Sequence, residues 1–223
     1  MRKRMNNIRN IAVIFLAPVF LAGCPDLDLG SGSSGASSAC PVGQGPFEVG
    51  EEGPTGGWVF FVDENDEFEF DYLEAAREDR TVSRSDGDNA LHEWAVSFVG
   101  RDLDVPESST EFGTGAKNTQ LIIDALNNPP EGAESQQNKA AQVATSQVPT
   151  GCDWFLPSRD ELDRMYRNLA QTGLGDFSGS RDYWSSSQAD TLNAWTVSFQ
   201  DGSATRTIKA GANRVRAVRA GNF

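Results

Sequence analysis

The sequence predicts an α+β fold, with small twisted antiparallel sheets from the two ends of the folded part and helices packed between them. Three observations carry that expectation. "GGWVFFVD" near the start and "NAWTVSFQDGSATRTIKA" near the end are short runs of β-branched and aromatic residues bounded by turn signals. Between them, apolar residues recur at helical spacing in three stretches. Strands at the ends with helices in the middle, and no regular strand–helix alternation, point away from a parallel α/β sheet.

The chain of 223 residues opens with Arg2, Lys3, Arg4 and Arg9 and no acid among its first ten residues. Ile11 to Ala22 is a twelve-residue apolar run, short for a bilayer span and of the length of a signal-peptide core. It ends in Leu21-Ala22-Gly23-Cys24, which is similar to the bacterial lipobox. That similarity implies a lipoprotein signal peptide over residues 1–23, cleaved before Cys24, whose thiol and new amino group then carry lipid. The alternative is an ordinary secretory signal followed by an incidental cysteine. Each buried methylene of an acyl chain contributes about 0.8 kcal/mol, so two or three chains anchor stably. Pro25 stands where an aspartate would favour inner-membrane retention in many Gram-negative bacteria, and Asp26 lies one place beyond it. The expected location is therefore the cell envelope, at the outer membrane or cell surface. "GSGSSGASSA" offers almost nothing apolar to bury, so residues 24–45 read as a lipidated cysteine and a flexible tether.

Residues 46–223 are enough for one domain with its own core. Trp58 to Val62 is the first strand, set off by Gly56 and Gly57. The acids Asp63, Glu64, Asp66 and Glu67 follow; without the glycine and glutamate of a calcium loop in register, they read as a charged hairpin turn. "RSDGDNALHEW" is a polar loop turning at Gly87. Leu121, Ile122, Ala125 and Leu126 mark a helix that stops at Asn127-Asn128-Pro129-Pro130. Ala140, Val143, Ala144 and Val148 mark a second, less strongly patterned one. In the third, Ser158 and Glu161 form a capping box, Leu162, Met165, Tyr166 and Leu169 an apolar stripe, and Gly173 a C-cap. Trp195, Val197 and Phe199 alternate with Thr196, Ser198 and Gln200, and Asp201-Gly202 is a hairpin turn. Val215 and Val218 are three apart, which predicts a bulge or a strand buried on both faces.

Charge narrows the function classes. Removing the four basic residues of the signal leaves 15 Lys+Arg against 32 Asp+Glu, a net charge of −17 in the mature chain. That argues against general binding to nucleic acid or anionic lipid. From Arg181 onward the balance reverses locally, with six bases (Arg181, Arg206, Lys209, Arg214, Arg216, Arg219) against three acids (Asp182, Asp190, Asp201). With Cys24 lipidated, Cys40 and Cys152 remain, an even count that permits one disulfide in an oxidising compartment. The alternative is two unpaired, partly buried thiols.

Three consecutive serines, Ser185, Ser186 and Ser187, raise the question of a nucleophile. A catalytic serine needs a base and a group to orient that base. The sequence has one histidine, His92, in a polar stretch some ninety residues upstream, and reads it as a surface or capping residue. No G-x-S-x-G elbow and no S-x-x-K surrounds the serines. The expectation is a protein that is not an enzyme and needs no cofactor or metal, with a serine hydrolase as the rival reading.

"GPTGGWVFFVD", "YLEAAREDR", "GTGAKNTQLII", "CDWFLPSRDELDRMYRNL", "YWSSSQADTLNAWTVSF" and "VRAVRA" occur in this order from Gly53 to Ala220. Together they resemble the Lcl C-terminal domain family, named for a bacterial collagen-like adhesin. The resemblance implies a C-type-lectin-like fold with its terminal strands brought together. It also implies extracellular ligand or glycan binding and adhesion rather than catalysis, since that adhesin recognises sulfated glycosaminoglycans. The chain departs from the family in "EFEFDY", Glu67 to Tyr72, and in lacking a collagen-like repeat. It also lacks the E-P-N and W-N-D signatures of calcium-dependent lectins.

On this reading Trp184, Trp195 and the apolar strand residues are core. Ligand contacts come from the polar alternates and loops: Gln188, Asp190, Thr191, Asn193, Ser203, Thr205, Arg206 and Lys209. The partners expected are a membrane, through the lipid on Cys24, and a glycan or protein ligand. An envelope structural lipoprotein that packs against another protein is the non-lectin alternative. A palmitate analogue fed to cells should label the protein, and Cys24→Ala should abolish the label; label that survives the substitution overturns the lipoprotein reading.

Overall fold

The computed structural model describes residues 40–41, 44–81, 91–96, 103–129, 131, 135–147, 149 and 151–223. The signal peptide, Cys24, the Gly/Ser tether to Ala39, the turn at Gly87 and Val148 lie outside the described residues. Among the described residues, no helix is long and apolar enough to cross a membrane.

Among the described residues, the fold is an α+β mix of three small antiparallel sheets and three helices. In chain order the elements are β1 (Trp58–Val62), β2 (Tyr72–Ala75), β3 (His92–Glu93), α1 (Gly115–Asn127), α2 (Ala140–Thr145), α3 (Arg159–Asn168), β4 (Tyr183–Gln188), β5 (Asn193–Val197), β6 (Ala204–Ile208), β7 (Ala212–Asn213) and β8 (Val218–Gly221). A single turn of 3-10 helix, Ala170–Thr172, extends α3 and ends at Gly173 in the left-handed region. The sheets are ordered β1-β2-β8, β3-β7 and β4-β5-β6. β8 therefore returns to the beginning of the fold, with Tyr72 opposite Gly221 and Ala75 opposite Val218.

The third helix begins where the sequence supplies a start. α3 is opened by Ser158, whose Oγ accepts from Glu161 N while the Glu161 carboxylate accepts from Ser158 N. Its stripe buries Leu162, Met165 and Leu169, and Tyr166 is half-buried. α1 buries Ile122 and Leu126, together with Asn118 and Thr119, whose polar groups find partners inside. The charged segment after β1 is a turn: Asp63 accepts from the backbone N–H of Asn65 and Phe68 and leads the chain into β2.

β4 separates two cores. Trp184 faces Trp94, Ile122, Leu126, Leu156 and Val215, beneath α1 and α2. Tyr183 faces Phe60, Leu73, Leu162, Met165 and Val218, beneath α3. The spacing of Val215 and Val218 has its reason here. β7 ends at Asn213, and an irregular step carries Val215 into the first core and Val218 into the second, both fully buried.

Two expectations are corrected. Trp195 is not core: β5 buries Ala194, Thr196 and Val197, and Trp195 is only partly buried and joins neither core. Thr196 is fully buried because Asp182, Thr207 and the Thr205 carbonyl all lie within hydrogen-bonding reach of its hydroxyl. His92 is not on the surface. It lies on β3, paired with Asn213 of β7, fully buried, with its Nε2 3.1 Å from Arg80 O and its carbonyl accepting from Trp184 Nε1. The Asp201-Gly202 turn is a wider hairpin spanning 198–203, in which Gly202 takes φ +77 and sits against the Tyr166 ring.

Cys40 and Cys152 are joined by a disulfide across 112 residues of sequence. Cys152 sits in the first core. Closing so long a loop restricts the unfolded chain, so replacing both cysteines by serine should lower the unfolding free energy by about 2–5 kcal/mol. Chemical denaturation measures this, and an unchanged midpoint would show that the bridge constrains nothing.

Candidate functional site

The three serines are structural. Ser185, Ser186 and Ser187 are fully buried in β4. Ser185 Oγ donates to Trp195 O at 2.8 Å, and Ser186 Oγ accepts from Asn118 Nδ2 at 3.3 Å. Ser187 Oγ donates to Ser109 O at 2.7 Å and accepts from Arg159 N at 3.1 Å, which satisfies the first turn of α3. These bonds hold the segment before α1, the start of α3 and β5 against one strand.

The expected ligand residues divide into clamps, turn formers and surface groups. Lys209 is a clamp: it is 4 % exposed, and its ammonium donates to Leu103 O, Gln188 Oε1 and Thr191 O at 2.5, 2.7 and 2.9 Å. Three acceptors and the face of Trp94 offset the cost of taking that charge from water. Gln188 is likewise committed, accepting from Val105 N and donating to Asp104 Oδ1. The side chains of Lys209 and Gln188 are therefore engaged within the domain, Lys209 almost wholly buried and Gln188 partly so. Asp190 forms the turn before β5, accepting from the backbone N–H of Leu192 and Asn193. The Asn193 amide beside it, more than any other neighbour, holds its carboxyl below the usual carboxylate range. Thr191, Ser203, Thr205 and Arg206 are exposed, and Ser203 Oγ donates to Asp201. Thr205 pairs with the buried Thr196 and so lies on the opposite face of the sheet from Arg206.

What remains outward is one face of β5 and β6. Cross-strand pairing puts Trp195 opposite Arg206 and Asn193 opposite Ile208, so all four side chains share a face. The Arg206 guanidinium lies 5.2 Å from the centre of the Trp195 ring. From the first residue of α3, the Arg159 guanidinium lies 5.3 Å from it. Arg159 is also paired with Asp160, which fixes its position. An aromatic ring flanked by two guanidinium groups offers stacking, cation–π and hydrogen-bond donors on one surface. Arg159 was not foreseen, because a residue in the first turn of a helix gives no sign of the strand it will meet.

Close to this face but facing inward, Glu161 joins two helix starts. Its Oε1 accepts from Gly113 N and Gly115 N at 3.0 and 3.2 Å, and its Oε2 from Ser158 N at 2.7 Å. A side chain at Gly115 would strike this carboxylate, which explains the glycine. Burial pushes the Glu161 carboxyl up to about 7, and the N–H donors of Ser158, Gly115 and Gly113 act in the other direction. Among the described residues, no group of three or more His, Cys, Asp or Glu side chains is placed to hold a metal ion.

No protein-family model matches this chain. No curated protein matches it. Among solved structures, a fimbrial protein from Bacteroides ovatus ATCC 8483 is similar at 13% sequence identity with a TM-score of 0.42. The likeness covers 67% of this chain and 36% of that one, so the chain matches just over a third of that protein's length.

Glu161 sets a pH dependence. Its carboxyl is raised from 4.5 to about 7, so between those values the folded state holds a proton that the unfolded chain has lost. Stability from this group is full below about pH 4.5 and is lost as pH rises towards 7, by on the order of 3 kcal/mol. Glu161→Gln should lower stability at pH 5, because an amide N–H₂ would face a backbone N–H donor, and should flatten the loss between pH 5 and 7.5. Thermal melts across that range measure both effects; a melting profile that is parallel for the two proteins would assign the pH dependence elsewhere.

Proposed function

We propose that this protein is a lipid-anchored envelope lipoprotein whose domain is related to the Lcl C-terminal domain family, has a C-type-lectin-like fold and binds a glycan outside the cell. The supporting feature of the fold is the pairing of β2 with β8, which brings the last strand of the domain into the sheet formed by the first two. The observation that carries the binding reading is Trp195. Trp195 is partly buried on a sheet face between Arg159 and Arg206 and belongs to neither hydrophobic core. It gives a flat apolar surface for the C–H face of a sugar ring, with guanidinium donors beside it for hydroxyl or acidic substituents.

Catalysis is not part of this reading. The hydroxyls of Ser185 and Ser187 are donated to backbone carbonyls, Ser186 Oγ accepts from Asn118, and all three are excluded from solvent. A fluorophosphonate probe should leave them unmodified in the folded protein.

A glycan array tests the reading directly. The protein should bind a restricted set of glycans, and Trp195→Ala should weaken that binding at least tenfold while leaving the melting temperature within a few degrees. Binding to no glycan, together with stoichiometric capture of a single envelope protein, would favour the structural alternative.

A further inference from the structure

A groove of about 550 Å³ opens beside the last strand. Phe68 and Phe70 from the β1–β2 connection, Ala116 and Lys117 from the first turn of α1, Phe155 and Ala220 line it. None of these residues belongs to the Trp195 face, and the inference does not rest on the glycan reading.

Among the described residues, the floor of the groove is an unpaired strand edge. Ala76 N donates to Ala217 O at 2.9 Å, and the register runs on through Glu74 opposite Arg219, Leu73 opposite Ala220 and Tyr72 opposite Gly221. In an antiparallel ladder, hydrogen-bonded pairs recur at every second residue. Glu74–Arg219 and Tyr72–Gly221 are thus the bonded pairs, and the N–H and C=O of Ala220 point away from β2. Leu73 directs its own groups to Phe61 of β1, as the bond from Asp63 N to Asp71 O two residues on requires. On the outer side of β8, Val218 exchanges two backbone hydrogen bonds with Phe155, at 2.8 and 3.0 Å. A strand continuing antiparallel from Phe155 would set residue 153 against Ala220. Asp153 instead takes φ +50 and carries the chain away. The donor and acceptor of Ala220 are left facing an aromatic-walled groove.

We propose that this edge is a β-augmentation site that takes an extended segment of another polypeptide. The segment pairs its main chain with Ala220 and continues the sheet beyond β8, at the place where Asp153 breaks off. An exposed edge is a template for strand addition, in which main-chain bonds supply affinity and alternate side chains supply specificity. Phe68, Phe70 and Phe155 receive the apolar alternates. The charge of the occupant follows from the rim. Glu67 and Glu69 are exposed there against Lys117 alone, while Glu161 is engaged by backbone donors. The segment that fits is an apolar strand flanked by lysine or arginine.

The test uses the full-length protein and a pooled set of fluorescein-labelled heptapeptides with lysine at both ends and valine, isoleucine, threonine or phenylalanine inside. Fluorescence anisotropy should show saturable binding by members of the pool. N-methylation of the central amides should abolish it. Ala220→Pro removes the outward N–H without touching a bond to β2, and should weaken binding at least tenfold. Phe68→Asp gives a second reading from the groove wall should the proline variant fail to fold. Four results overturn the proposal: no saturable binding at millimolar peptide, equal binding of the N-methylated peptides, binding indifferent to both substitutions, or concentration-dependent dimerisation of the protein that Ala220→Pro removes.

Discussion

The return of residues 214–221 to the segment 72–80 is the constraint on which the other contacts depend. Arg216, 1 % exposed, donates twice to Asp79 and once each to the carbonyls of Ala76, Arg77 and Gly175, with its guanidinium over Phe177. Arg214 and the Tyr183 hydroxyl complete the shell of Asp79. Burial, and then the Asp79 charge, push the Tyr183 hydroxyl above its ordinary value, so it stays a donor. One turn of strand further on, Arg219 meets the fully buried Glu74, which also accepts from Thr55 and Gly57. A buried guanidinium with one partner missing would be very unfavourable, so these pairs do more for register than for net stability. A one-residue slip of β8 would strand two charges at once.

That arrangement changes the meaning of the basic C-terminal segment. As a string of residues it looks like a positive patch on an acidic body. In the fold, Lys209, Arg216 and Arg219 are interior and Arg214 is bound to Asp79, which leaves Arg206 and Arg181 outward. The positive patch that the linear count suggests is therefore mostly absent from the surface. Whatever positive potential the outer sheet face has comes from Arg206 and from Arg159, a residue of a different segment.

How much could be read in advance depends on whether the deciding contacts were local. β1 and α3 were legible because a run of alternating aromatic and aliphatic residues and a capping box are complete within a few positions. The setting of Trp195 in β5 was not. Val197 and Phe199 enter the second core as expected, while Trp195, on the same face as Val197, meets the Arg159 and Arg206 guanidinium groups and belongs to neither core, and Thr196 is buried on the other face. Thr196 is tolerated there only because Asp182 and Thr207 reach its hydroxyl. Lys209 was misjudged for the same reason: its three acceptors come from positions 103, 188 and 191, and no window around residue 209 contains them all. The capping role of Glu161 was visible, while its second task of holding Gly113 and Gly115 was not, since those residues lie more than forty positions upstream.

The disulfide has a mechanical consequence. Tension applied to the chain ahead of Cys40 does not run on into the residues that lead to β1. It crosses the covalent bond to Cys152 and enters the domain three residues before Phe155, whose two backbone bonds to Val218 join it to the last strand. Everything between the two cysteines, including β1 to β3, α1 and α2, lies in a closed loop that the pull cannot lengthen. The covalent path from that end to the outer sheet face therefore runs from Cys152 through α3 and β4 to β6. The domain is loaded as a short, cross-linked strut instead of a chain that could unravel from its first strand.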